Sequence, residues 1–386
     1  MSIVNALRLS RNSGAIISDE ETWLFGRRRL FISDSIASLL SAEMAEKLQM
    51  EVIFAGIGNI SLTCEVIKNV KYDLQIAFDT CEHISEFKFN SINKIATLCN
   101  HKFQEAIKRR INNILQFRYG FDLTSFHRGY VEHQGQKIEI KQKNVLDDCL
   151  AIIEPSQVGP FLQPIYENEA LIAGWDQKNC YQIYEIDAQS QEKFLSPSAY
   201  CNLGRGADTG AIVLADLVNS RTLQQRRQGF DKIEGLIELI YSANVTSTFN
   251  NQVGGYFTIV LIDGEETDPS RRLIEITDHE ARLTNDIVTA LKAGLLQYDQ
   301  GCELVRKIVE MKAPATEIEK QLFNSVQHPR HLDLLLRGYK VQAINQVYLT
   351  SSKPYPIFTH NDPVKSGPAD SEIQEHDEKG GNHDRH

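Results

Sequence analysis

SIVNALRLSRNSGAIISD, residues 2–19, sets two short apolar runs on either side of a turn. Residues 3–9 (IVNALRL) and 15–18 (AIIS) flank Ser10-Arg11-Asn12-Ser13-Gly14, which is turn chemistry ending in a glycine able to take positive φ. The pattern predicts a β-hairpin at the start of the chain, with Asp19 at the end of its second strand.

Working outward, Leu30-Phe31-Ile32 suggests another strand, and EVIFA at 51–55 runs into Gly56-Ile57-Gly58 before a helix that carries Ile60, Cys64 and Ile67 on one face. From Ser91 to Phe117, Ile92, Ile95, Cys99, Phe103, Ile107, Ile111 and Ile114 keep a helical period, which predicts a long amphipathic helix covering a sheet. Residues 120–155 read as a peripheral insertion with a hairpin turning at Gln134-Gly135. Strands follow at 169–176 (EALIAGWD) and 181–187 (YQIYEID), then helices over about 207–219 and 227–243, and strands at 255–263 and 272–277. Blocks of strands and helices in this order predict an α+β fold with a sheet between helical layers, not βαβ units. Beyond residue 279, Leu283, Ile287, Leu291 and Leu295 step by four, predicting a helical extension to about residue 345, and the polar tail 346–386 is expected to be disordered.

Composition narrows the function. With 386 residues, 42% of them hydrophobic, the chain can bury a substantial core. A formal net charge of −10 argues against nucleic-acid binding, which needs clustered cations to neutralise phosphates. The two basic clusters, Arg27-Arg28-Arg29 and Lys108-Arg109-Arg110, are too small for that, and the second reads as a solvated helix face. Seven cysteines in irregular spacing suggest neither a disulfide framework nor a zinc knuckle. The pairs His127/His133 and His328/His331 lack the Cys or carboxylate that would complete a metal site, so no metal or cofactor is expected. No apolar run is long enough to span a bilayer and no leader pattern is read, so the chain is expected to be cytoplasmic, with its mature N-terminus close to residue 1.

Six motifs in order resemble the proteasome β-subunit family and its bacterial proteasome-like relatives, over about residues 2–278. SIVNALRL with GAIISDEET is similar to that family's first two strands, and VIFAGIGN to the strand leading to its first sheet-covering helix. ALIAGWD with YQIYEID resembles its central hairpin, CNLGRGADTGAIVLADL the Gly-x-Gly opening of its third helix, and NNQVGGYFTIVLID the Gly-Gly strand after its fourth. The resemblance implies a four-layer αββα sandwich of the N-terminal-nucleophile (Ntn) hydrolase type, assembled as a homo-oligomeric ring, that cleaves amide bonds of peptides or unfolded proteins. Residues 279–386 and the insertion have no counterpart in it.

An N-terminal nucleophile combines a side-chain hydroxyl with its own free α-amine as general base, and that amine titrates near ~7.7–8.0, close to neutrality. Ser2 meets this demand once Met1 is removed, a step that a small second residue favours. The resemblance assigns three further roles. Asp19 stands where the family's active-site Asp stands and holds the cation that lowers the amine's pKa. That cation is a Lys in the family; here Arg29 is the best placed, and a guanidinium tunes charge without relaying a proton. Gly56 would hold the oxyanion through its backbone N–H. Departures from the pattern are Arg205 for the Ser of Gly-Ser-Gly, Asn250 and Val253 for the Asp and Ser before the Gly-Gly strand, and Glu21 for the Arg after the active-site Asp. Two readings therefore stand, a ring-forming N-terminal serine peptidase or amidohydrolase and a catalytically silent assembly protein of the same fold.

Overall fold

Apolar runs that lack strict alternation belong to strands covered on both faces, and the first strand behaves this way, with Ile3 through Leu7 all buried. The computed structural model describes residues 3–19, 21–24, 27–30, 36–153, 168–188, 193–196, 198–204, 206–250, 253–254, 257–276 and 278–338, with the backbone alone at 21–24, 27–30, 227 and 278. Ser2, Arg205, the side chains of Glu21 and Arg29, and the tail expected over 346–386 lie outside that description.

The strands are β1 (Ile3–Arg8), β2 (Ser13–Asp19), β3 (Glu21–Leu24), β4 (Arg27–Leu30), β5 (Ile36–Ser38), β6 (Met50–Ile57), β7 (Tyr130–His133), β8 (Gln136–Glu139), β9 (Glu169–Asp176), β10 (Cys180–Asp187), β11 (Phe194–Leu195), β12 (Tyr200–Gly204), β13 (Phe257–Asp263) and β14 (Leu273–Ile276). The helices are α1 (Ala42–Leu48), α2 (Ile60–Asp79), α3 (Ile92–Tyr119), α4 (Leu123–Arg128), α5 (Lys143–Ile153), α6 (Ala207–Asn219), α7 (Leu223–Gln228), α8 (Lys232–Phe249), α9 (Pro269–Arg272), α10 (Asp278–Lys292), α11 (Tyr298–Val309), α12 (Ala315–Ser325) and α13 (Pro329–Leu336). No described helix is long and apolar enough to cross a membrane.

Two five-stranded antiparallel sheets result, ordered β12-β1-β2-β13-β14 and β11-β10-β9-β6-β5. Val4, Ala6 and Ile16 of the first meet Ile53, Ala55, Leu171, Ala173 and Ile183 of the second in an apolar layer between them. The alternate residues of β1 and β2, Ile3, Leu7, Ala15 and Ile17, face α8 and the later helices on the outside. On the other outer face, Val52, Phe54, Ala170 and Ile172 pack against α2 and α3. The helices after residue 278 are part of this construction, since Leu283, Ile287, Val305, Ile318 and Leu332 lie in the same cluster as β1 and β2. Cys149 and Ile152 of α5, from the segment read as an insertion, likewise enter the α2–α3 side.

The turn between β1 and β2 differs from expectation at one glycine. Gly14 lies within β2, opposite Arg8, and is not among the glycines of positive φ. Its requirement is steric: a Cβ there would fall 2.1 Å from the ring of Tyr181, which reaches across from the facing sheet. The turn itself is made by Ser10, whose Oγ accepts from Asn12 and Ser13 N–H at 3.0 and 3.1 Å. By contrast, the Gln134-Gly135 hairpin turn has both residues at positive φ, 51° and 78°, as its two-residue loop requires.

At the β9–β10 turn, Asp176 accepts from Lys178 N–H, Asn179 N–H and the first helical N–H of α3, at Ile92, so one carboxylate fixes both the hairpin and the start of the long helix. Nearby, Glu51 of β6 is buried at 3% exposure while the Arg272 guanidinium sits over the Trp175 ring and donates to Gln49. Burial pushes the Glu51 carboxyl up to about 7, against the downward pull of Arg272. A carboxyl raised this way contributes fully below the unfolded value of about 4.3 and loses that contribution as pH rises to about 7. Glu51→Gln, which imitates the neutral form, is expected to gain on the wild type by up to about 3 kcal/mol over that window and then level off. Urea unfolding of both proteins between those pH values measures the difference, and a constant gap would refute the assignment.

Candidate active site

The first described residue, Ile3, is anchored by a buried carboxylate. Its backbone N–H donates to Asp19 Oδ1 at 2.8 Å, and Asp19 Oδ2 accepts from Gly254 N–H at 3.1 Å. Asp19 is 1% exposed. The hairpin register brings this about, because Val4 pairs with Ser18 and the next residue of β2 therefore reaches the beginning of β1. Gly254 arrives from α8, whose end is closed at Asn250. Val253 N–H then donates to Asn250 O at 3.1 Å, and the Val253 side chain is buried on the helical side.

On the other flank, Ile3 pairs with Gly204 of β12. Gly204 and Gly206 both have positive φ, 97° and 102°, and Gly206 caps the N-terminus of α6. Gly204 N–H donates at 3.2 Å to Oε2 of Glu169, the first residue of β9 in the facing sheet. Burial raises the Glu169 pKa, the Gly204 hydrogen bond opposes that shift, and the nearby carboxylates of Asp187 and Glu185 add to it. The residue on which Ile3 pairs is thus tied to one carboxylate, and Ile3 itself to another.

Glu169 was not singled out in the sequence. Its signal is faint, an acidic residue opening an otherwise apolar strand, and its contact partner lies 35 positions away.

The other expected site residues fall as follows. Ser2 precedes Ile3 and lies outside the described residues. Arg29 is in β4, its backbone opposite Thr22 of β3. Gly56 is in β6, opposite Ala170, in the second sheet and not the one holding Asp19. A Cβ on Gly56 would come within 2.7 Å of Thr63 on α2, so close helix–strand packing is a sufficient reason for glycine there. Its backbone N–H lies in the plane of the sheet, away from that contact, and the two demands use different atoms.

The histidine pair His328 and His331 lies at the start of α13 with ring centroids 4.9 Å apart. Among the described residues no group of three or more His, Cys, Asp or Glu could hold a metal ion.

No family model matches the sequence, and no curated protein matches it. Solved structures do resemble the chain, and three of them are of Anbu proteins. Anbu (ancestral beta-subunit) from Yersinia bercovieri is 13% identical over 72% of this chain and 89% of that one, with a TM-score of 0.45. The Anbu (Gly-1) mutant from Hyphomicrobium sp. strain MC1 is 10% identical over 68% and 82%, with a TM-score of 0.43. The Anbu complex from Pseudomonas aeruginosa, solved as a helical assembly, is 13% identical over 68% and 81%, also with a TM-score of 0.43.

An ionised carboxylate offers acceptors only, whereas an amide would turn one NH2 group toward a backbone N–H. Asp19→Asn is therefore expected to lower stability by about 1–3 kcal/mol, the usual cost of a buried unpaired donor. Glu169→Gln keeps an acceptor for Gly204 and is expected to cost less than about 1 kcal/mol. Urea midpoints of the two variants check the contrast, and equal losses would contradict it.

Proposed function

We propose that the chain is a proteasome-type N-terminal-nucleophile amidohydrolase whose nucleophile is Ser2, bared by removal of Met1. The observation that carries this reading is the 2.8 Å hydrogen bond from Ile3 N–H to buried Asp19, which anchors the residue following Ser2. A nucleophile must be held within a few tenths of an ångström to act, and a first strand locked into a sheet core supplies such a hold. The facing sheets with helices outside them are compatible with the four-layer αββα sandwich of Ntn-hydrolases. In this reading the Ser2 α-amine takes the Oγ proton as Oγ attacks an amide carbonyl of a peptide or unfolded protein. Gly56 N–H receives the developing oxyanion, and the ammonium returns the proton to the leaving nitrogen. Water, deprotonated by the same amine, then hydrolyses the acyl ester. Arg29 contributes fixed positive charge, which lowers the amine's pKa toward the operating range.

The same fold without catalysis is the second reading, and one observation favours it. Both Asp19 oxygens accept backbone N–H groups, so the carboxylate has a structural role that requires no reaction. Either reading accommodates self-assembly into a ring. Ile212 on α6 and Phe249 at the end of α8 are 70% and 78% exposed in the single chain, apolar surface that an assembly would cover.

Intact mass and hydrolysis of unfolded-protein and peptide substrates separate the readings. The enzyme is expected to have lost Met1, to carry a free Ser2 amine, and to lose hydrolysis by at least about three orders of magnitude in Ser2→Ala. A blocked or Met-capped amine, or hydrolysis that survives Ser2→Ala, eliminates Ser2 as nucleophile. Native mass of the same sample reports the assembly directly.

A further inference from the structure

The hairpin of β7 and β8 is a sheet by itself, since neither strand joins the two five-stranded sheets. Val131 and Ile140 pack against the α2–α3 side and α4 lies against β7, which leaves β8 as the outward strand. Every residue of β8 is exposed, with Ile138 at 54%. An isolated two-stranded hairpin is marginal in water, and an exposed strand edge is a template for another strand.

Hydrogen-bond parity identifies the groups that this edge offers. Ile140 N–H donates to Gly129 O at 2.9 Å, so Gly129 and Ile140 form a hydrogen-bonded pair. Such pairs alternate with non-hydrogen-bonded ones along an antiparallel ladder, and the register continues Tyr130↔Glu139, Val131↔Ile138, Glu132↔Lys137. Val131 and Ile138 are therefore the next hydrogen-bonded pair. Lys137 and Glu139 direct their N–H and C=O away from β7, to the outer edge.

A second copy of β8 fits this edge when antiparallel pairing is centred on Ile138. Lys137 of each copy then lies opposite Glu139 of the other, and these are the residues whose backbone groups face outward. Each such pair exchanges both of its backbone hydrogen bonds and matches a cation with an anion. Ile138 meets its own copy in a non-hydrogen-bonded pair, where side chains approach most closely. Centred on Lys137 or on Glu139 instead, the same strands oppose like charges. A lysine on an edge strand usually guards against pairing, because it repels its own copy. Here the alternation Lys137, Ile138, Glu139 is self-complementary. The contacts these two charges make within the chain are exposed ones. Glu139 pairs with Lys141 at 2.5 Å, the side chains being 61% and 79% exposed, and Lys137 Nζ lies 4.7 Å from the Tyr130 ring centroid. Exposed contacts of this kind contribute little and exchange readily.

We propose that β8 is a self-recognition edge, on which a second copy of this chain docks antiparallel across a twofold axis at Ile138, joining two hairpins into one sheet. The strands are short, so one such contact buries little area and is weak, and copies gathered in an assembly make it repeatedly. The proposal is independent of Ser2 and of catalysis.

Oxidative trapping of the full chain, read on a denaturing gel, tests it. Ile138→Cys is expected to give a covalent dimer under mild oxidation, since facing residues of a non-hydrogen-bonded pair lie ~4.5 Å apart, within disulfide reach. Gln136→Cys holds its two thiols ~14 Å apart in the same register, and the chain's own seven cysteines set the background. Dimer linked through position 138, identified by its peptide mass, is expected to exceed both controls by about tenfold or more. In the Ile138→Cys protein, Lys137→Glu sets carboxylates against each other and Glu139→Lys sets ammonium groups against each other, so each alone is expected to lose the crosslink. Both side chains are exposed, so these variants retain the fold. Mixed together, the two variants are complementary at both pairs and are expected to recover the crosslink. Equal yields at positions 136 and 138, a crosslink indifferent to these charges, or a mixture that fails to recover it overturns the proposal.

Discussion

The carboxylate of Asp19 is where the first sheet is tied together. The end of β2 carries it, the beginning of β1 donates to one oxygen, and the segment entering β13 donates to the other. These three strands are adjacent in the sheet, β1-β2-β13, and the ladder alone leaves their ends at this point free to fray. A buried N–H without a partner would cost about 1–3 kcal/mol, so satisfying two of them with one acid is a substantial fraction of a typical domain's margin. A hydroxyl or an amide in that place carries a donor of its own, and a carboxylate does not. Just after α8 ends at Asn250, Val253 N–H bonds back to Asn250 O, and Gly254 N–H reaches Asp19.

The space between the sheets imposes a second constraint. Branched aliphatics fill most of the inner layer, and at two glycines aromatic rings complete it. Tyr181 occupies the place a Cβ on Gly14 would take, and Trp175 that of Gly264. At Gly174 the obstacle is backbone, the carbonyl oxygen of Glu51 at 2.3 Å from an added Cβ, so β9 and β6 approach as closely as they do only without a side chain there. The glycines of this fold thus serve two separate ends, close approach in the strands and positive φ at Gly204 and Gly206, where β12 gives way to α6.

Periodicity made the long elements legible. The seven apolar residues from Ile92 to Ile114 lie on α3, and the GWD strand and its partner pair as a hairpin from Glu169↔Asp187 to Asp176↔Cys180. What escaped was short or long-range. The three-residue β5 and the seven-residue α1 carry too few positions to establish a period. β12 reads as part of a glycine-rich approach to a helix, and its identity as the strand beside β1 depends on pairing with residues almost 200 positions earlier. Gly14 and Gly56 were legible as glycines but not for their reason, which in each case is a side chain, Tyr181 or Thr63, from an element distant or differently oriented in space. Of the site, Asp19 could be read from its place at a strand end, whereas Glu169 could not, because its partner is a backbone N–H that no side-chain pattern announces.

These contacts bear on the electrostatics that an N-terminal nucleophile needs. An α-amine serves as a base only when neutral, and each nearby negative charge stabilises its protonated form. Two acids flank the start of β1, which taken as bare charges would work against catalysis. Their environments temper that effect. Asp19 directs its oxygens at backbone dipoles, whose positive ends offset part of its field. For Glu169, burial raises the pKa, the Gly204 hydrogen bond opposes that shift, and Asp187 and Glu185 add to it. Anchoring and activation are separable demands here. The first is met by hydrogen bonds to the two carboxylates, and the second depends on net charge around the amine.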